Sequence, residues 1–314
     1  MRAAVASPKP AFRRRRYWFR LIRLFVVALV GALLILPAAM GALSAWALTH
    51  PGCYPGARPA EHGFERYEEV TFPSSRNITQ QGYFFPGENG ATIIVVPAYG
   101  NGRGAEPHYA NLFQQAGFNV LTLNSRICAG YDYHSLGYQE VEDVEAAYAY
   151  LSTRRDVDPE RISLHGFSSA GATSLMAAAR IPQIRSVTAE GGYHDFAAML
   201  GIQEAHNFFD RLYSVGVAAT YRLVTGDDVQ KLNPLEAIGQ LAPRPVLLIY
   251  GSEEISLPGA RVMLERALAN GVDAELWVVE GAGHGNYLSI AQDEYVRRVT
   301  AFHSAALLGD EELS

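Results

Sequence analysis

Apolar residues fall into three regimes along this chain. Positions 24–48 form one apolar run without a charged residue; as a helix it exceeds the roughly 20 residues needed to cross membrane hydrocarbon. From position 67 onward, short runs rich in Val, Ile, Leu and aromatic residues predict strands at 67–72, 79–85, 91–96, 118–123, 161–167, 184–189, 245–250 and 274–279. Helices are predicted between them at 108–116, 140–154 and 170–181. Such alternation builds a mostly parallel sheet with helices on both faces, so the fold class is α/β. The third regime, 194–241, interrupts the alternation with helical, aromatic-rich sequence that includes Phe196, Phe208, Phe209, Leu212, Tyr213 and Tyr221. An apolar lining there suits an acyl or aromatic substrate, whereas aromatic residues at helical spacing more often serve a core.

Composition and charge sharpen this division. The chain has 314 residues and is 49% hydrophobic, ample for a large core. Its formal net charge is -6, yet the first 23 residues hold eight of the 26 Lys and Arg and no acid, leaving 18 basic against 32 acidic residues, or -14, in the rest. An acidic body argues against nucleic acid as a partner. Arg13, Arg14, Arg15, Arg16, Arg20 and Arg23 precede the apolar run, and positive flanks stay cytoplasmic. The expected organisation is a basic cytoplasmic tail at 1–23, a single-pass transmembrane signal-anchor helix at 24–48, a linker at 49–63 and an extracytoplasmic domain at 64–314, with an insertion at about 194–241. Tyr17, Trp18 and Trp46 suit the membrane interfaces, and a membrane helix tolerates Pro37. A cleaved signal peptide with Ala45-Trp46-Ala47 as its small-x-small site is the alternative; the apolar region is long for that type. Of the two cysteines, Cys53 falls in the linker and Cys128 after strand 118–123. Outside the cytoplasm such a pair invites a disulfide, but two cysteines in so long a chain do not require one. The nine histidines are scattered, without metal-ligand spacing.

Three strand ends carry residues suited to nucleophilic chemistry. Gly166-Phe167-Ser168-Ser169-Ala170-Gly171 places a serine where a strand turns sharply into a helix. Strand 245–250 runs into Gly251-Ser252-Glu253-Glu254, and strand 274–279 is followed by Gly281-Ala282-Gly283-His284-Gly285. A serine hydroxyl is a weak nucleophile until a neutral imidazole removes its proton, and a carboxylate fixes the imidazole's tautomer. Glu253 and Asp195 are neighbouring carboxylates to weigh against Glu254. His165, beside the turn, reads as a packed side chain.

These motifs resemble the α/β-hydrolase superfamily, in particular its serine aminopeptidase-like, prolyl-oligopeptidase-like and monoacylglycerol lipase-like members. Gly166-Phe167-Ser168-Ser169-Ala170-Gly171 is similar to that family's G-x-S-x-G-G, Tyr250-Gly251-Ser252-Glu253-Glu254 to its H-G-x-x-D, and Gly283-His284 to its final G-H. The departures are Ala170 for Gly, Glu254 for Asp, and Pro97-Ala98 where the family has His-Gly. The resemblance implies an α/β-hydrolase fold with a small helical cap at 194–241 and a Ser168, Glu254, His284 triad. It also implies an oxyanion hole made by the backbone amides of Ser169 and Tyr99. The implied activity is that of a serine hydrolase, carboxylesterase- or lipase-like or serine peptidase-like. It would cleave a small acyl ester or short peptide through an acyl-enzyme, with no cofactor. Two alternatives stand beside it. One is a non-catalytic binding protein on a hydrolase scaffold. The other is an NADP-dependent oxidoreductase, because Gly100-Asn101-Gly102-Arg103-Gly104 also fits a dinucleotide-binding turn and Arg126 would suit a 2′-phosphate. That reading leaves Ser168, Glu254 and His284 unexplained.

Overall fold

The computed structural model describes residues 11–200 and 207–309. The first ten residues of the expected tail and 201–206 of the expected cap lie outside them. Helix α1 (Ala11–Thr49) is long and apolar enough over Arg15–Thr49 to cross a membrane. Strand β1 (Tyr54–Gly56) leads to the hairpin β2 (Glu68–Pro73) and β3 (Thr79–Phe85), then β4 (Thr92–Val96), β5 (Asn101–Gly104), α2 (Pro107–Gln115) and β6 (Asn119–Leu123). Next come α3 (Val141–Leu151), β7 (Ile162–Phe167), α4 (Ser169–Arg180), β8 (Val187–Glu190), α5 (Phe196–Met199), α6 (Phe208–Thr225) and α7 (Pro234–Ile238). The chain closes with β9 (Val246–Gly251), α8 (Leu257–Ala269), β10 (Ala274–Val279), α9 (Tyr287–Ile290) and α10 (Gln292–Leu308).

Eight strands form one sheet in the order β10-β9-β8-β7-β4-β6-β3-β2. The six strands from β10 to β6 run parallel, and β3 and β2 add an antiparallel edge. Strands β4, β6, β7 and β9 are buried nearly throughout, which is why their sequences read as continuous apolar runs. The two-residue side-chain period divides the core. Ile94, Val96, Leu121 and Leu164 face the layer containing α3, α4 and α8. Ile93, Val95, Val120 and Ile249 face Phe113 of α2 and Val299 of α10. At the exposed edge β2 alternates between buried and exposed positions.

Two segments differ from the sequence expectations. The stretch 49–63, expected as a linker, is built into the fold: β1 pairs parallel with β5, and Cys53 is joined to Cys128 by a disulfide. The glycine run 100–104, which also fits a dinucleotide-binding turn, supplies β5 itself. A Cβ on Gly104 would stand 2.1 Å from the carbonyl oxygen of Ala57, so glycine here permits the close approach of the segment leaving β1.

Helix α6 packs along the C-terminal half of α1, and small residues set the contact. A Cβ on Gly41 would lie 2.0 Å from the Tyr213 carbonyl oxygen, and one on Gly216 would lie 1.9 Å from that of Ala38. The backbones therefore touch, as at small-residue helix contacts in membranes. Gly216→Val is expected to force the helices apart and lower the melting temperature of the detergent-solubilised full chain, with an overpacking cost of about 1 to 3 kcal/mol. An unchanged melting curve would show that the contact contributes nothing.

Candidate active site

The parallel ladder is in register at its C-terminal edge. Val96 lies opposite Gly166, Phe167 opposite Glu190, Glu190 opposite Ile249, and Gly251 opposite Val279. The loops after β4, β7, β8, β9 and β10 therefore emerge side by side, where open α/β sheets bind ligands.

Ser168 occupies the turn between β7 and α4 with φ 58° and ψ -126°, a conformation that costs a non-glycine residue about 1 to 3 kcal/mol. Its neighbours hold it there. The Ser168 amide donates to the Glu190 carbonyl at 2.7 Å, and a Cβ at Gly166 would meet the Ala170 carbonyl oxygen at 2.4 Å. The strain lifts the hydroxyl clear of the sheet edge. His284 Nε2 lies 3.1 Å from Ser168 Oγ, and His284 Nδ1 lies 2.6 Å from Glu254 Oε1. A carboxylate only accepts, so Nδ1 carries the ring proton and the Nε2 lone pair faces the hydroxyl. The other carboxylate oxygen accepts from the Gly251 amide at 2.6 Å and from Tyr287 Oη at 2.8 Å. Phe167 packs on the imidazole with ring centroids 4.7 Å apart. This arrangement can withdraw the serine proton while a buried, twice-bonded carboxylate steadies the charge that forms on the ring.

Of the competing acids, Glu253 is exposed, and Asp195 accepts from the Ala198 amide as the cap of α5. Ser169 and Tyr99 border the same cavity as Ser168 and His284. The Ser169 amide is at the first position of α4, where helix geometry offers no intrahelical acceptor. Tyr99 Oη reaches back to the end of α1, donating to the carbonyls of Leu48 at 2.8 Å and Ala47 at 3.2 Å. The cavity measures about 730 Å³, and its largely apolar wall includes Leu48, Tyr193, Phe196, Met199, Ile255 and Pro258. Of the residues weighed as a lining in 194–241, Phe196 borders the cavity, whereas Phe208 and Phe209 are exposed, Leu212 is half-buried, and none of these three borders it. Phe196 belongs to the short helix α5, which also supplies Met199.

The dinucleotide alternative fails on its two supports. The glycine run is a strand covered by the segment around β1. Arg126 is fully buried, with Nε 2.7 Å from Asp143 and Nη2 3.0 Å from Glu142, which leaves it no freedom to meet a phosphate.

Sequence reasoning missed Glu190, at the end of β8. Its carboxylate accepts hydrogen bonds from Tyr109 at 2.8 Å and from Tyr295, while its backbone holds Ser168. Burial pushes its pKa up from 4.5 to about 7, against the pull of the tyrosine hydrogen bonds, and the nearby Glu254 charge adds to the rise. His165 is buried next to it, its Nε2 3.3 Å from Glu190 Oε1, and burial drives the imidazole's pKa well down, so it is neutral. The only sequence signal was an acid at the end of an apolar strand.

A strained serine turn, an imidazole and a buried acid at the open edge of this sheet define a hydrolase of the α/β-hydrolase superfamily. The chain belongs to the prolyl oligopeptidase family, whose sequence pattern matches residues 105–309. It is similar to the thiohydrolase apmlB of Arthrinium phaeospermum, 29% identical over 130 residues, or 39% of this chain and 42% of that protein. It also resembles the uncharacterized protein YfhR of Escherichia coli strain K12, 24% identical over 61% of this chain and 64% of that one. The chain thus spans less than two thirds of either relative. Among solved structures, the Pyrococcus furiosus esterase Pf2001 superposes with a TM-score of 0.66 at 21% identity, covering 83% of this chain and 98% of the esterase. A puromycin-hydrolyzing peptidase of Mycobacterium tuberculosis superposes with a TM-score of 0.61 at 18% identity, covering 77% of this chain and 40% of that one.

The Glu190 environment fixes a pH dependence. Its folded pKa lies above the ordinary 4.5, so the native state favours the neutral acid. That contribution to stability is present below about pH 4.5 and is lost as pH rises through about 7. Glu190→Gln removes the buried charge. It is expected to gain stability relative to the parent between about pH 5 and pH 8, by up to about 3 kcal/mol in denaturant titrations. A difference independent of pH would overturn the assignment.

Proposed function

We propose that the chain is a membrane-anchored serine hydrolase that cleaves carboxylic esters through an acyl-enzyme. The observation that carries this reading is the continuous relay from Ser168 through His284 to Glu254 at the mouth of an apolar cavity. Ser168 Oγ attacks the carbonyl carbon as its proton passes to His284 Nε2. The amides of Ser169 and Tyr99 are the proposed donors to the developing oxyanion. His284 then protonates the leaving alcohol as the C–O bond breaks. Water repeats the sequence, frees the acid and restores the serine. The apolar wall favours an acyl group over a charged peptide. The resemblance to a thiohydrolase and to an esterase fold is in keeping with that preference.

Helix α1 is the proposed anchor, with 1–23 cytoplasmic, 24–48 in the membrane and 64–314 extracytoplasmic. The Arg-rich flank supports this orientation. So does the disulfide between Cys53 and Cys128, which suits an oxidising compartment. The alternative of a binding protein on a hydrolase scaffold leaves the aligned proton relay without a purpose.

Activity is tested with a fluorophosphonate probe. The parent is expected to be labelled, and Ser168→Ala and His284→Ala are expected to abolish labelling. Glu254→Gln should lower kcat roughly 100- to 10,000-fold with the protein still folded, because the imidazole loses its orienting charge. Undiminished labelling of Ser168→Ala would remove the serine from the mechanism.

Topology is tested by fractionation and intact mass. The expected result is an uncleaved chain in the membrane fraction with its C-terminus outside. A mature N-terminus near Leu48 would replace the anchor with a signal peptide.

A further inference from the structure

The cavity and the membrane helix share a wall. Leu48 of α1 lines the cavity, and its carbonyl accepts from Tyr99 next to the reacting groups. The position of the bilayer along α1 can be estimated from charge. Arg23 is the last charged residue before an uncharged stretch that reaches Thr49. A hydrocarbon layer of about 30 Å takes about 20 residues, so a span starting at Leu24 ends near Leu43. Leu48 then stands on the order of 8 Å beyond the hydrocarbon edge, the depth of the head-group layer. Trp46, exposed on α1, falls at the same level, as interfacial tryptophans do.

The same register places α6 in contact with lipid. Ala38 and Gly41, on which Gly216 and Tyr213 sit, fall inside the hydrocarbon span, so α6 meets whatever surrounds α1 there. Between the exposed Arg211 and Arg222, whose long side chains can reach toward a polar boundary, α6 carries no charged residue from Leu212 to Tyr221. On the side turned away from α1, Val215 is 62% exposed and Ala219 is also exposed. The rim of the cavity is apolar and open as well: Ile255 is 99% exposed and Met199 lies open.

We propose that α6 is seated in the leaflet adjoining the catalytic domain, and that the cavity takes a long-chain acyl ester sideways from that leaflet. The acyl chain enters along Leu48, Met199 and Ile255, and the ester carbonyl, which a lipid holds at head-group depth, meets Ser168. This substrate assignment rests on the anchored serine hydrolase reading above, whereas the seat of α6 does not depend on catalysis.

The test uses the full chain reconstituted in phosphatidylcholine vesicles with two probes, 4-methylumbelliferyl palmitate dissolved in the vesicles and water-soluble 4-nitrophenyl acetate. Val215→Asp and Ala219→Asp are expected to lower palmitate ester hydrolysis at least about tenfold while acetate hydrolysis stays within about twofold, since a charge on a lipid-facing site is costly. A second arm reads the seat of α6 directly. Bimane attached to Val215→Cys should be quenched by doxyl-labelled phosphatidylcholine and shielded from aqueous iodide. Iodide quenching without doxyl quenching overturns the proposal, as does an equal loss on both esters in Val215→Asp with an unchanged melting curve. If that variant unfolds, the bimane arm decides. A parent protein inert to both esters would sink the hydrolase reading and the substrate with it, leaving bimane to decide the seat of α6.

Discussion

The site depends first on the register of the parallel sheet. Five strands stop at one level because their ladders are aligned residue for residue, Val96 with Gly166, Glu190 with Phe167, Gly251 with Val279. Residues 168, 254 and 284 are far apart in the chain, yet they meet because each follows one of these stops by only a few positions. A slip of one residue in β7 would turn its side chains to the opposite face. It would also draw the serine turn away from the imidazole. The hydrogen bonds among Ser168, His284 and Glu254 are therefore a product of the sheet's alignment more than of the loops that carry them.

Where strands are buried on both faces, the sequence was easy to read. The runs at 92–96, 119–123 and 246–251 are mostly apolar and rich in Val, Ile and Leu, and their ends fell within a residue or two. The grouping of Ser168, Glu254 and His284 was legible because each comes soon after a run that reads as a strand. Other features had no local signal. Strand β5 consists of Asn101-Gly102-Arg103-Gly104, a composition that opposes strand formation, and it exists because the segment around β1 lies against it. The cavity wall came from Phe196 and Met199, while the more conspicuous Phe208 and Phe209 face outward. Periodicity shows that a helix has an apolar face, but not whether that face meets protein, cavity or lipid.

Behind the serine turn lies a second layer of support that is polar and buried. Glu190 uses its main chain to hold Ser168 and its side chain to gather Tyr109 and Tyr295 from α2 and α10. Tyr287 does the corresponding work for Glu254 from α9. The elements after β10 thus brace both the strained serine and the acid. A buried acid left ionised without these donors would destabilise the fold; with them, the group remains inside the core and can change its protonation near neutrality.

The bond between Cys53 and Cys128 also changes how the α/β domain can be separated from α1. Its two ends enclose β1, the β2–β3 hairpin, β4, β5, α2 and β6 within one covalent loop. A protease that nicks the backbone anywhere between those cysteines leaves two pieces still joined through sulfur. Release of the domain in one cut requires cleavage in the few residues between Thr49 and Cys53, close to where the helix ends. With α1 as the proposed anchor, shedding would be limited to a short window beside the head groups, and exposed loops farther out could be clipped without the domain leaving the membrane.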